Sequence, residues 1–243
     1  MVETAVILAA GTGSRLKPLT DHAPKCLTEI NGIPILVNAL ENLTKVGIRH
    51  CTIVGGYFSE KIKTAIGSSF RSIGVNYLLN EHYSSTNDMY SLWIARHLLP
   101  KGVLLLEGDI FFRHETIGRV FSTMGSKSCY IAGKYNGKMN EILISVDHGK
   151  RVRSIEVLRG KSGPVALNNY MSTGMLIIQR EFGSFFSRWL TEFVGRNNVN
   201  VLFDDVLGAH TEDADLYVCE VAQEEWVEVD TIADVREAEK VFA

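Results

Sequence analysis

The residues best suited to chemistry sit close together near the start of the chain. Gly11 and Gly13 stand one residue apart, Arg15 and Lys17 follow, and Lys25 comes after Pro24. Glycines let a turn present its backbone N–H groups to an anion with no Cβ in the way. Arg15 and Lys25 add the full positive charge that a polyphosphate requires. Five apolar residues, 6–10, precede the turn; they are too few for a helix and read as a buried first strand. The stretch from Leu8 through Ala10, Gly11, Thr12 and Gly13 to Ser14 is therefore expected to cradle phosphates at the C-terminal end of a strand. It is not the ATPase phosphate loop, since no Gly-Lys-Ser/Thr closes it. It is not the dinucleotide fingerprint either, because Leu16 occupies the place of the third glycine.

Two acids stand out further along. Asp109 follows an apolar run, 103–106, through Glu107 and Gly108, which suggests a central strand delivering a carboxylate at its end. Asp230 closes an alternating stretch in which Trp226, Glu228 and Asp230 project to one face. The four cysteines lie far apart and the seven histidines show no ligand spacing, so any metal is expected on oxygen.

Elements with a consistent rhythm must position these groups. Apolar residues at helical spacing predict a helix over 35–46 that stops at Gly47, and a second strand is expected over 50–56. A short helix from Ser59 to residue 66, a strand over 75–79 and a helix over 89–99 capped by Asn87 or Asp88 follow. Alternation of strands and helices argues for a doubly wound, mostly parallel sheet in an α-β-α arrangement, with ligands at the carboxyl ends of the strands. Beyond residue 125 the pattern changes. Strand-like runs at 128–132, 141–146, 152–158 and 168–178 predict an antiparallel extension. Helices over 182–194, 201–209 and 231–242 and an edge strand over 216–221 complete the expectation. One domain is expected, with a nucleotide-binding half over 1–125 and an acceptor-binding half over 126–243.

The bulk composition narrows the partners. An apolar fraction of 46% supports a sizeable core, and a net charge of −3 with mixed signs leaves no basic footprint for nucleic acid. There is no apolar run of about 18 residues for a membrane span and no signal-peptide pattern. A cytoplasmic protein with reduced thiols is the expectation, its oligomeric state open between monomer and dimer.

The whole string Leu-Ala-Ala-Gly-x-Gly-x-Arg-Leu-x-Pro-Leu-Thr-x-x-x-Pro-Lys-x-Leu, residues 8–27, resembles the signature of the nucleotidyltransferases that activate sugar phosphates and polyol or amino-alcohol phosphates. A second segment, from Leu79-Asn80-Glu81 through Tyr83, Thr86 and Asn87 to Tyr90-Ser91-Leu92, resembles the part of the phosphocholine and 2-aminoethylphosphonate cytidylyltransferases that lines the cytosine pocket. The resemblance implies a nucleotidyltransferase fold and transfer of CMP from CTP to a small phosphorylated or phosphonylated acceptor, with Mg²⁺ as cofactor. It implies that Arg15 and Lys25 are catalytic, that Asp109 and Asp230 hold the metal, and that Asn80 and Thr86 read the base. Glu107 and Tyr57, the latter in a Gly-Tyr ending the second strand, are expected near the nucleotide. A cationic head group on the acceptor calls for carboxylates and aromatic faces. Asp109, Tyr170, Asp205, Trp226 and Glu228 are the acceptor residues expected, with Trp189, Phe203 and Asp204 also at hand. Inositol 1-phosphate or hexose 1-phosphate transfer, and a catalytically silent regulatory module, are the alternatives.

Overall fold

Strand residues alternate between two apolar layers, and that alternation builds the molecule. The computed structural model describes residues 2–139 and 141–243. The chain begins with β1 (Thr4–Ala9), a small hairpin of β2 (Glu29–Ile30) and β3 (Ile33–Pro34), and α1 (Ile35–Lys45). Next come β4 (His50–Gly55), α2 (Ser59–Ile66), β5 (Ser69–Phe70), β6 (Ile73–Leu79) and α3 (Asp88–Ile94). The middle holds β7 (Val103–Glu107), β8 (Ile110–Phe112), α4 (His114–Met124), β9 (Ser128–Lys134), β10 (Ile142–Val146), β11 (Val152–Val157) and β12 (Asn169–Ile178). It closes with α5 (Arg180–Gly195), α6 (Phe203–Gly208), β13 (Leu216–Glu220), β14 (Trp226–Glu228) and α7 (Ile232–Val241).

The main sheet runs β11-β10-β12-β7-β1-β4-β6-β5, with β9 and β13 branching beside β12. β7, β1, β4 and β6 are parallel, whereas β12 is antiparallel to β7. The last residue of β7, Glu107, therefore sits where the parallel and antiparallel halves meet. A bulge between Ser172 and Met175 on β12 carries Gly174 at φ +72°, and a Cβ there would lie 3.1 Å from that of Glu107. The glycine makes room for the acid.

On one face, Ile7, Ile53 and Leu104 pack with Leu40, Ile62 and Ile117 from α1, α2 and α4. On the other, Val6, Val54 and Leu105 pack with Leu92, Phe186 and Val206 from α3, α5 and α6. Each fully buried leucine of this kind contributes about 1.5–3 kcal/mol by leaving water. With period-two alternation, Glu107 continues the face of Leu105 and emerges over α3 and α6. A third cluster joins Phe111 of β8, Val227 of β14 and Val235 of α7 to Leu16 beside the glycine loop.

The three-layer fold matches the expectation, and the departures are local. The helix expected over 89–99 stops at Ile94 and continues as a 3₁₀ turn over Arg96–Lys101, which contains Pro100 and ends at Gly102 with φ +79°. The β8–β14 ribbon and α4 have no counterpart in the sequence-based expectation.

Candidate active site

The glycine loop, the ends of β7 and β14, and the N-termini of α3, α6 and α7 enclose one cleft of about 580 Å³, within the usual size of a small-molecule site. Leu8, Ala10, Gly11, Thr12, Gly13, Ser14, Arg15 and Lys25 line its floor. Gly13 adopts φ +60°, and a Cβ there would come within 2.9 Å of the Cβ of Lys25. Glycine is thus required both by the backbone and by the nearness of Lys25. Thr20 locks the turn, its hydroxyl donating to the Gly13 carbonyl at 2.8 Å. Among the described residues, none accepts a hydrogen bond from the amides of Gly11, Thr12 or Gly13.

Lys25 links the halves of the site. Its ammonium donates to Asp109 Oδ2 at 2.6 Å and to Asp230 Oδ1 at 2.5 Å, and Arg15 meets the other oxygen of Asp230 at 2.6 Å. Burial alone would push the ammonium down, but attraction to Asp109 and Asp230 outweighs it and holds Lys25 above the usual lysine range. Asp230 shows the converse. Burial works against its charge, yet Lys25 and then Arg15 keep its carboxyl below the usual range. Asp230 is free to face the cleft because its neighbour Thr231 caps α7, pairing reciprocally with Asp234.

Carboxylate oxygens from three residues also converge. Glu107, Asp109 and Glu228 each bring one within 4.8 Å of the others. Burial, then the charges of Asp109 and Asp230, push the Glu228 carboxyl up to about 8. Burial, with Asp109 nearby, also holds Glu107 well above the ordinary carboxyl range. The remaining oxygen of Asp109, Oδ1, is buried with no hydrogen-bond partner. Converging, mutually repelling oxygens with an orphaned acceptor suit a hard divalent cation.

The cleft also has an acidic wall farther from the cations. Asp204 is 1% exposed; its Oδ1 accepts the Tyr130 hydroxyl at 2.6 Å and its Oδ2 is buried without a partner. Burial pushes this carboxyl up to about 7. Asp88, first in α3, accepts the Phe203 amide at 2.9 Å, and burial with the nearby charge of Asp204 holds its carboxyl well above the ordinary range.

Several expected residues stand elsewhere. Asp109 and Asp230, the expected metal pair, both line the cleft and meet at Lys25; Asp109 also converges with Glu107 and Glu228, and the oxygens of Asp230 are engaged by Lys25 and Arg15. Trp226 does not reach the cleft. Pairing of β14 with β8 turns it into the core against Gly133, so the face it shares with Glu228 passes from core to cleft along the strand. Tyr170 is 1% exposed on β12, its hydroxyl held by Lys134, Lys150 and Glu220 away from the cleft. Asp205 turns back to accept the Leu202 amide at 2.9 Å and pairs with Arg159, while its neighbour Asp204 takes the place in the cleft. Tyr57 braces the glycine loop from behind, its hydroxyl donating to the Thr20 carbonyl at 3.2 Å. Trp189 stacks on His210 and Phe203 is buried in the core. Asn80 and Thr86 do line the cleft, but both N–H groups of the Asn80 amide are donated inward, to Thr86 and Ser91 at 3.0 Å each. Its Oδ1 accepts the His82 amide. Asn80 therefore organises the segment that follows β6. The clustering of Glu107 and Glu228 does have a signal in the sequence. Each stands two residues before an aspartate, in Glu107-Gly-Asp109 and Glu228-Val-Asp230, the spacing that puts both side chains on one face.

Beyond this geometry, the chain belongs to the MobA-like NTP transferase domain family, whose model matches residues 5–172, and its class is that of the nucleotidyltransferases. Among curated relatives it is similar to the 2-aminoethylphosphonate cytidylyltransferase of Lancefieldella rimae, 26% identical over 95% of this chain and 89% of the relative. It is also similar to the choline-phosphate cytidylyltransferase of Streptococcus pneumoniae, 24% identical over 98% of this chain and 97% of that one. The solved CTP:phosphocholine cytidylyltransferase from Streptococcus pneumoniae superposes with a TM-score of 0.83 over 100% of both chains at 22% identity, which establishes the shared fold.

Proposed function

We propose that the protein is a Mg²⁺-dependent cytidylyltransferase that transfers CMP from CTP to phosphocholine or 2-aminoethylphosphonate and releases pyrophosphate. The observation that carries this reading is the Lys25 ammonium, which stands beside the unspent amides of the glycine loop and bridges Asp109 and Asp230. The relatives named for CTP and for these two acceptors support the choice of nucleotide and acceptor.

In this reading the amides from Gly11 to Ser14 hold the triphosphate and Arg15 steadies its outer phosphates. Lys25 meets the α-phosphate, where negative charge grows in the transition state, and preorganised charge of this kind is usually the largest single contribution. The acceptor oxygen needs no general base, since a phosphate or phosphonate dianion is already nucleophilic near neutrality; holding two anions in line is the main task. Glu107, Asp109 and Glu228, with Asp230 adjoining, would hold Mg²⁺, which when bound neutralises charge on the phosphates. Residues 1–125 supply most of the nucleotide side and residues 126–243 most of the acceptor side of one domain.

Pyrophosphate release, measured for CTP, UTP, GTP and ATP against a panel of acceptors with and without EDTA, tests the proposal. CTP-specific, EDTA-sensitive release with an amino-alcohol phosphate or phosphonate is expected. Release only with a sugar 1-phosphate or inositol 1-phosphate would refute it.

A further inference from the structure

The acidic wall of Asp88 and Asp204 plays no part in the phosphate chemistry above. Asp204 lines the cleft with a carboxylate oxygen that is buried and accepts nothing, while Tyr130 satisfies its other oxygen. Leaving such a buried acceptor unpaired is unfavourable, more so when it is charged. A ligand that brings an N–H donor removes that penalty.

The two acids reach the cleft from different elements. Asn80, Tyr83 and Thr86 follow β6, on one side of β1. Asp204 is tied to Tyr130 of β9, beside β12, on the other side of β1 across β7. The glycine loop leaves β1 between them. Asp204 thus approaches the cleft from the β12 side, and Asp88, which opens α3 just after Thr86 and Asn87, meets it there through the Phe203 amide.

We propose that Asp204, with Asp88 beside it, binds a primary ammonium group on the acceptor, making the acceptor class short aminoalkyl phosphonates or phosphates rather than quaternary ammonium esters. This rests on the cytidylyltransferase reading and deepens it. A trimethylammonium head has no N–H to donate and is recognised by aromatic faces. Among the described residues Tyr83 is the one aromatic lining the cleft, and it stands on the β6 side. A primary ammonium carries three donors, suiting the open oxygen of Asp204, and its charge offsets the repulsion between the two carboxylates.

The test compares kcat/KM with CTP for 2-aminoethylphosphonate, phosphoethanolamine and phosphocholine, in wild type and Asp204→Asn. Primary-ammonium acceptors are expected to exceed phosphocholine at least tenfold, with the first two separating phosphonate from phosphate. Asp204→Asn is expected to raise the KM of the preferred acceptor at least tenfold and leave the KM of CTP within twofold. Phosphocholine used as well as the primary amines would overturn the proposal, as would a substitution that raises the KM of CTP in place of the acceptor's. Calorimetric binding of 2-aminoethylphosphonate separates this from the underlying reading. No pyrophosphate from any acceptor removes the cytidylyltransferase, whereas binding that weakens tenfold in Asp204→Asn sustains the ammonium site and absence of binding ends it. Should Asp204→Asn melt below the assay temperature, Asp88→Asn is read by the same criteria.

Discussion

Replacing Lys25 by alanine removes the side chain that bridges Asp109 and Asp230. In the wild type its ammonium lies 2.6 Å from Asp109 and 2.5 Å from Asp230, with only 15% of the side chain exposed. Its raised pKa keeps it charged at any working pH. If that charge meets the α-phosphate as proposed, its loss should lower kcat by about 10²–10³-fold, or roughly 2.7–4 kcal/mol, the scale seen when a preorganised donor is lost from a developing oxyanion. The same substitution leaves part-buried Asp109 without its cation and Asp230 with Arg15 alone, and breaking a buried pair costs up to about 3–5 kcal/mol of stability. Pyrophosphate release at saturating CTP and acceptor measures the first effect and a urea melt the second. Mn²⁺ binding without nucleotide supplies a third reading. With Lys25 gone, Asp109 and Asp230 no longer share an ammonium, so Mn²⁺ affinity should stay or rise while turnover falls. A Lys25→Ala protein that melts cooperatively and keeps kcat within twofold of wild type would refute the reasoning.

Other expectations follow from single contacts. Gly13→Ala forces a left-handed backbone and a clash with Lys25, so it should cost about 1–2 kcal/mol in a melt and lower kcat with it. Glu107→Gln should weaken nucleotide-free Mn²⁺ binding by about tenfold if Glu107 belongs to the converging set; unchanged affinity would remove it from that set. Asp205→Ala should lose about 0.5–1 kcal/mol with the capping contact to Leu202, and leave the KM of the acceptor unchanged. Asp204 gives a pH signature. Its carboxyl, moved by burial from 3.8 to about 7, keeps its proton in the folded protein where the unfolded chain has lost it. Wild type should therefore lose stability as pH rises from about 4 to about 7, by on the order of 4 kcal/mol relative to Asp204→Asn. Urea melts across that range check the slope, and parallel curves for the two proteins would contradict it.

The parallel half of the fold was readable in the sequence because its signals are local. An apolar run, a glycine stop and a 3.6-residue stripe each lie within a dozen residues, and α1, β4 and α2 appear within a residue or two of where those signals place them. The glycine loop was readable for the same reason. The β8–β14 ribbon was not, since three-residue strands separated by more than a hundred positions leave no periodicity to detect. Where side chains point was the least legible. Asp204 and Asp205 are chemically identical neighbours, and only the turn of α6 decides which faces the cleft and which caps the helix. Trp226 and Tyr170 likewise resemble aromatic cage residues until strand pairing commits them to the interior or to lysines.

The pairing of β14 with β8 also governs when the protein becomes competent during its synthesis. The glycine loop is made within the first 25 residues, but Glu228 and Asp230 reach their partners only after residues 226–230 leave the ribosome and Trp226–Glu228 zip against Ile110–Phe112. A nascent chain emerging N-terminus first carries the glycine loop long before it carries the acids that close the cleft. Chains cut short in this region would thus carry the glycine loop without the carboxylates that face it.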